Sequence, residues 1–230
     1  SDYERPALRL ASIQNIQVIH EFTHDSFYVG EDGPTHQPIE QIMSLRAIPN
    51  FNVYRPADSK ETASCFKLAI KNKNTPSALI LTRQGVPTLE FSQKQMDENV
   101  SKGAYIVVDS KKTNPDIIII ATGSEVSLAI EVSKSLIDKN VRVISMPSWE
   151  VFSAQSDKYK KDIIPDRGNL KVSLEAGITS GWEKFIGRSG LSIGINHFGS
   201  SAPANDLAIK FGFTVDKVSS KIEKYIKELL

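Results

Sequence analysis

The chain has 230 residues and 40% hydrophobic content, enough to bury a core as one large domain or two small ones. Its formal net charge of +1 removes any electrostatic case for nucleic acid or an acidic membrane surface as a partner. A single cysteine, Cys65, excludes an intrachain disulfide and a cysteine-cluster metal site, and fits a reducing compartment. No apolar run reaches the ~20 residues of a membrane span. The first ten residues carry no signal-peptide core, so a soluble cytoplasmic protein is expected.

Taken in order, residues 1–10 read as part of a helix with Tyr3, Leu8, Leu10 and Ile13 on one face and Pro6 in its first turns. Residues 16–22 read as a strand. It feeds THDSFYVGEDGPTHQPIE (23–40), which holds His24 and His36, the acids Asp25, Glu31 and Asp32, and the loop-forming Gly30, Gly33 and Pro34. Residues 37–46 then read as a helix, with Ile39, Ile42, Met43 and Leu45 at near-helical spacing. A strand running through a polar, glycine-containing loop into a helix is where open α/β sheets place ligands. Aspartate, glycine and proline make turns whether or not anything binds, yet a loop built only to turn needs no histidine at both ends.

A strand at 51–54 and the turn Arg55-Pro56-Ala57-Asp58 follow. Asp58 or Ser59 caps a helix running to about residue 71, with Ala63, Phe66, Leu68, Ala69 and Ile70 on its buried side. Cys65 lies in this pattern and reads as packing, not as a nucleophile. Residues 77–81 are an apolar strand suited to a sheet covered on both faces, ending at Thr82-Arg83-Gln84-Gly85. Strands alternating with helices predict a parallel sheet, whose first and third strands bring His24 and Arg83 to one rim. A guanidinium fork matches phosphate or carboxylate oxygens in pairs. The alternative is a surface arginine paired with Glu31 or Glu90, and the residues alone leave both open.

The polar stretch 86–115, with a strand only at 104–108, reads as the connection between two domains, 1–103 and 104–230. The second unit opens with four isoleucines and Ala121-Thr122-Gly123-Ser124, then a helix to about residue 139. Strands at 141–146, 170–174 and 191–195 follow, separated by an irregular or helical 148–161 and a short helix at 182–187. A helix opening at Pro203 and an amphipathic helix at 215–230 complete it. Gly123-Ser124 lacks the G-x-G-x-x-G pattern and a P-loop lysine, so it is not read as a nucleotide loop. His197 reads as structural, and Glu175 as a strand-end carboxylate able to cap backbone amides. The fold class is α/β: two consecutive domains, each a mainly parallel sheet flanked by helices.

The runs GEDGPTHQPIEQIMSLRAIPN, VYRPAD, LILTRQ, IIIATGSEV, SMPS, LEAG, FGSSAPA and FGFTVD, in this order across nearly the whole chain, resemble transketolase. GEDGPTHQP is highly specific. Dihydroxyacetone synthase shares the pattern, whereas Gln37 after His36 departs from the His-His of deoxyxylulose-phosphate synthase. The resemblance implies the later part of the pyrimidine-binding domain followed by the C-terminal domain. It places the diphosphate domain, the metal ligands and the glutamate that activates the cofactor upstream of Ser1, leaving no metal ligand set here. It implies transfer of a two-carbon ketol unit from a ketose phosphate to an aldose phosphate, with thiamine diphosphate and Mg²⁺ as cofactors of the complete enzyme and carbanion chemistry supplied by the thiazolium. His24 and Arg83 correspond to residues that hold the sugar phosphate. Asp32 corresponds to the acid that reads a substrate hydroxyl, His36 to a histidine passing protons near the reacting carbons, and Tyr3 to a tyrosine lining the aminopyrimidine pocket. Family members are homodimers with sites between subunits. The 230 residues alone are expected to be inactive without a missing N-terminal portion. The contrasting expectation is a non-catalytic dimerisation or regulatory module, which would need none of His24, Asp32, His36 and Arg83.

Overall fold

The structure, a computed structural model, describes residues 1–112, 114–166 and 169–229. The first half comprises α1 (Arg5–Gln14), β1 (Ile19–Thr23), α2 (Gln41–Arg46), β2 (Asn52–Tyr54), α3 (Ser59–Lys71), β3 (Ser77–Leu81) and α4 (Gln93–Val100). Its three strands are parallel in the order β1-β3-β2. The central β3 is buried on both faces, in keeping with the apolar residues Ala78, Leu79, Ile80 and Leu81 that follow Ser77. Ala78 and Ile80 pack with Leu8, Ile42, Leu45 and Phe51 on one face, and Leu79 packs with Tyr54, Cys65, Ala69 and Met96 on the other. The Asp58 carboxylate caps α3 by accepting from the Glu61 amide at 2.7 Å. Its other oxygen accepts from the Leu89 amide at 2.7 Å, which ties down the start of the inter-sheet connection.

The second half comprises β4 (Tyr105–Val108), β5 (Ile117–Ala121), α5 (Glu125–Ser135), β6 (Val141–Ser145), α6 (Trp149–Ser153), α7 (Asp157–Ile163), β7 (Leu170–Leu174), α8 (Glu183–Ile186), β8 (Leu191–Ile193), α9 (Ala204–Phe211) and α10 (Val215–Leu229). The sheet order is β4-β6-β5-β7-β8, parallel except for the antiparallel edge strand β4. The isoleucines of β5 alternate: Ile117 and Ile119 face the cluster that includes Val126, Ala129 and Ile222, and Ile118 and Ile120 face Trp149, Phe152 and Trp182. One buried cluster runs from Phe27 and Tyr54 of the first half to Tyr105, Ala121, Leu207 and Phe213 of the second, so the two sheets share a core.

Several elements differ from the pattern read in the sequence. On α1 the buried side is Leu8, Ala11 and Ser12, whereas Tyr3, Leu10 and Ile13 are exposed. α2 starts at Gln41, because the Gln41 side chain accepts from the Ile39 amide at 2.9 Å and residues 37–40 stay extended or turned. β1 starts at Ile19 instead of 16, and α5 stops at Ser135. The polar stretch 86–115 contains the helix α4, whose buried residues are only Met96 and Val100. Residues 113 and 230, which fall within predicted stretches, lie outside the described residues.

Candidate functional site

β1 and β3 are parallel neighbours, with Thr23 opposite Leu81. The residues that follow, His24 on one strand and Thr82-Arg83 on the other, therefore leave the sheet at the same carboxyl rim. The Thr23–His24 peptide is cis. His24 and His36 line one cavity of about 220 Å³, together with Phe22, Pro34, Gln37 and Phe198 among others. The Thr35 hydroxyl and His36 Nδ1 share a hydrogen bond of 2.9 Å. Asp32 and Arg83 are exposed and stand outside that lining. Among the described residues Arg83 makes no ion pair with Glu31 or Glu90. Tyr3 is fully exposed, while its neighbours Ser1 and Asp2 line the cavity. A larger cleft of about 700 Å³ beside α7 and α8 contains none of these residues, so size alone does not mark the site.

The loop carrying His36 is held by the other half of the chain. The buried Gln37 amide donates to the carbonyls of Gly30 and Ser200, each at 2.8 Å, and its oxygen accepts from the Ser200 amide at 3.0 Å. The Ser201 hydroxyl donates to the Glu31 carbonyl. Gly199 permits this approach: a Cβ there would lie 1.6 Å from the Gln37 oxygen. The residue following His36 thus fixes its loop, a role that nothing in the short motif announces.

A buried charge network underlies the rim. Arg55, at the end of β2, donates to Asp25 Oδ2 at 3.0 and 2.7 Å, to the Thr122 carbonyl at 2.8 Å, and to Glu125. Arg46 grips Glu175 through two bonds of 2.9 and 2.8 Å, and Trp182 Nε1 donates to the same carboxylate at 2.8 Å. Burial pushes the Glu125 carboxyl up, an effect Arg55 only partly offsets. Burial also acts to raise Glu175, but Arg46 and Arg55 outweigh it and hold that carboxyl below its ordinary value. A Cβ at Gly123 would meet the Arg55 guanidinium carbon at 2.6 Å, so this glycine turn is filled by protein and offers no anion cradle. Glu175 is a structural ion-pair partner. His197 is exposed, its Nδ1 sits 2.8 Å from the Phe198 carbonyl, and its ring packs against Phe211. Cys65 is buried and its thiol is pushed well up by burial, as a packing residue requires.

The sequence reading named His24 and His36, which line one cavity, and did not name Phe198 or the network joining Asp25 and Arg55 to Glu125. The available signal was RPAD itself, an arginine directly after a buried strand. Among the described residues no group of three or more His, Cys, Asp or Glu is arranged to hold a metal ion. No helix among them is long and apolar enough to cross a membrane.

Residues 1–88 match the family model for the transketolase pyrimidine-binding domain, and residues 103–214 that for the transketolase-like C-terminal domain. The chain is 47% identical over 224 residues to the transketolase of Staphylococcus aureus strain MW2, covering 96% of this chain and 34% of that protein. Transketolase from Leishmania mexicana superposes with a TM-score of 0.90 at 42% identity, over 99% of this chain and 33% of that one. A Pichia stipitis transketolase in complex with sedoheptulose 7-phosphate superposes with a TM-score of 0.89 at 40% identity, over 98% of this chain and 32% of that one. The chain therefore spans about a third of the length of these relatives. With two consecutive family domains matched in order, and the parallel α/β architecture they share, the chain belongs to the transketolase family.

Proposed function

We propose that these residues form the substrate-facing side of a ketol-transfer site, which passes a two-carbon unit from a ketose phosphate such as xylulose 5-phosphate to an aldose phosphate such as ribose 5-phosphate, the chemistry of the pentose phosphate pathway. The observation that carries this reading is the shared cavity of His24 and His36 at the rim of a parallel sheet, with Arg83 leaving the adjacent strand at the same edge. In this reading His24 and Arg83 hold the phosphate, the guanidinium by a bidentate fork and the imidazole by a hydrogen bond. Asp32 accepts a bond from a substrate hydroxyl. His36, close to the reacting carbons, accepts and returns protons at substrate oxygens. The exposed ring of Tyr3 offers one wall to a planar heterocycle. The Pichia relative's sedoheptulose 7-phosphate complex supports a phosphorylated sugar as the ligand class.

Thiamine diphosphate, when bound, supplies the carbanion-stabilising thiazolium. Residues 1–88 match the pyrimidine-binding domain, which supports a role on the pyrimidine side of that cofactor, and the glycine turn at Gly123, filled by Arg55, offers no diphosphate cradle. The 230 residues by themselves are proposed to be inactive, and to work in a cytoplasmic homodimer with a diphosphate- and Mg²⁺-binding portion. The test is to mix the chain with a separately expressed N-terminal portion of a transketolase, comprising everything upstream of the residue that matches Ser1, with cofactor and Mg²⁺, and follow sedoheptulose 7-phosphate formation. Activity from the mixture, absent from either part and abolished by His36→Ala, is expected. Activity that survives His36→Ala overturns the reading.

A further inference from the structure

Phe198 is 75% exposed and contributes nothing to the core. It lies on the turn before α9, more than a hundred residues beyond the first-half segments that supply the rest of the cavity holding His24 and His36. It is also placed there rigidly. Gly199, the next residue, is pressed against the Gln37 side chain, and the Ser200 amide and carbonyl are both bonded to that side chain. The neighbouring His197 ring packs on Phe211 of α9 at 5.1 Å. The Phe198 ring is thus presented at the cavity by backbone fixed on both sides.

Pockets for small polar molecules pair a few placed polar groups with apolar or aromatic walls. Here the polar groups are His24 and His36, and the ring of Phe198 supplies an aromatic face. Sugars present such a face with their C–H edges while their hydroxyls and phosphate take the hydrogen bonds.

We infer that Phe198 is a specificity-determining wall of the sugar-phosphate site, contributed by the C-terminal domain and packed against the C–H side of the bound sugar. This rests on the reading of the cavity as a sugar-phosphate site. The domain then has two roles at the site: it anchors the His36 loop through Gln37, and it supplies a contact to the carbon chain of the ligand. Phosphate recognition, by His24 and Arg83, is a separate function of the first half. An aromatic wall therefore favours ribose 5-phosphate over inorganic phosphate without altering the grip on phosphate.

The test uses the full chain with ribose 5-phosphate as probe and two NMR readouts. Broadening of the ligand ³¹P signal reports the phosphate grip. Saturation transfer from protein aromatic protons to the sugar C–H protons reports the wall. In Phe198→Ala, saturation transfer and affinity for ribose 5-phosphate fall by roughly threefold or more, the scale of one lost aromatic contact, while the affinity for inorganic phosphate is unchanged. Phe198→Tyr restores the sugar affinity. If the unsubstituted chain gives ³¹P broadening but Phe198→Ala binds ribose 5-phosphate as tightly as before, the inference fails and the sugar-phosphate reading stands. If the unsubstituted chain gives neither signal, both fail. Phe198 is exposed, so its removal leaves the core intact and a loss of binding is not a loss of fold.

Discussion

Glu61 shows how a single side chain can be structural and still leave a measurable trace. It is fully buried and accepts three hydrogen bonds, from the Tyr105 hydroxyl at 2.6 Å, the Ser145 hydroxyl at 2.5 Å and the Ala57 amide at 2.6 Å. Burial nevertheless pushes its carboxyl above the ordinary value of 4.5, with those bonds pulling the other way. The folded chain then holds this proton more tightly than the unfolded one. The stability it lends is full below the ordinary value and is lost as pH rises through the raised one. Glu61→Gln cannot titrate. Urea midpoints measured across pH are expected to fall less steeply above pH 4.5 in the variant than in the unsubstituted chain. Identical slopes would contradict this assignment.

Among elements, the ends of β1, β2 and β5 and the start of α5 converge on Arg55. Its side chain serves Asp25 after β1 and Glu125 at the start of α5, and its carbonyl accepts from Thr122 Oγ1 and the Gly123 amide, each at 3.0 Å. Removing the cation leaves two carboxylates buried and unpaired. Arg55→Met is expected to cost about 3–5 kcal/mol in urea unfolding, and a loss below about 1 kcal/mol would show that water or rearrangement replaces the guanidinium. Much of this level was legible in the sequence. The apolar run at 77–81 and the four isoleucines of β5 could only be strands covered on both faces. The helix from Asp58 declared its cap. α4 was not legible, because QKQMDENV presents only Met96 and Val100 to the core, and the helix is held besides by the Ser92–Gln95 capping box and by bonds from Ser64 and Lys67 of α3 to Asp97. The face of α1 was misread because its apolar residues are spread around the helix and only one narrow stripe, Leu8 with Ala11 and Ser12, meets the sheet. RPAD flags Arg55, but which carboxylates meet the arginines could not be read: the partners lie 30 to 129 residues apart, and no local pattern links them.

For the whole molecule, the two sheets behave as one body. A common apolar cluster, the Arg55 network and the Gln37 clamp all cross between them. The site follows from that union, since the cavity takes histidines from the first half and an aromatic ring from the second. The stretch THDSFYVGEDGPTHQPIE pointed to His24, Asp32 and His36 as neighbours in sequence. What it did not convey is that of these candidates the two histidines line one cavity, while Asp32, Arg83 and Tyr3 lie outside its lining. Recognition of a phosphorylated sugar at the rim is tested most directly by the ring C–H NMR signals of His24 and His36 during titration of the chain with ribose 5-phosphate. Both signals are expected to move along one saturable curve that ribose without its phosphate fails to reproduce. Stationary signals, or equal shifts with ribose alone, would contradict it.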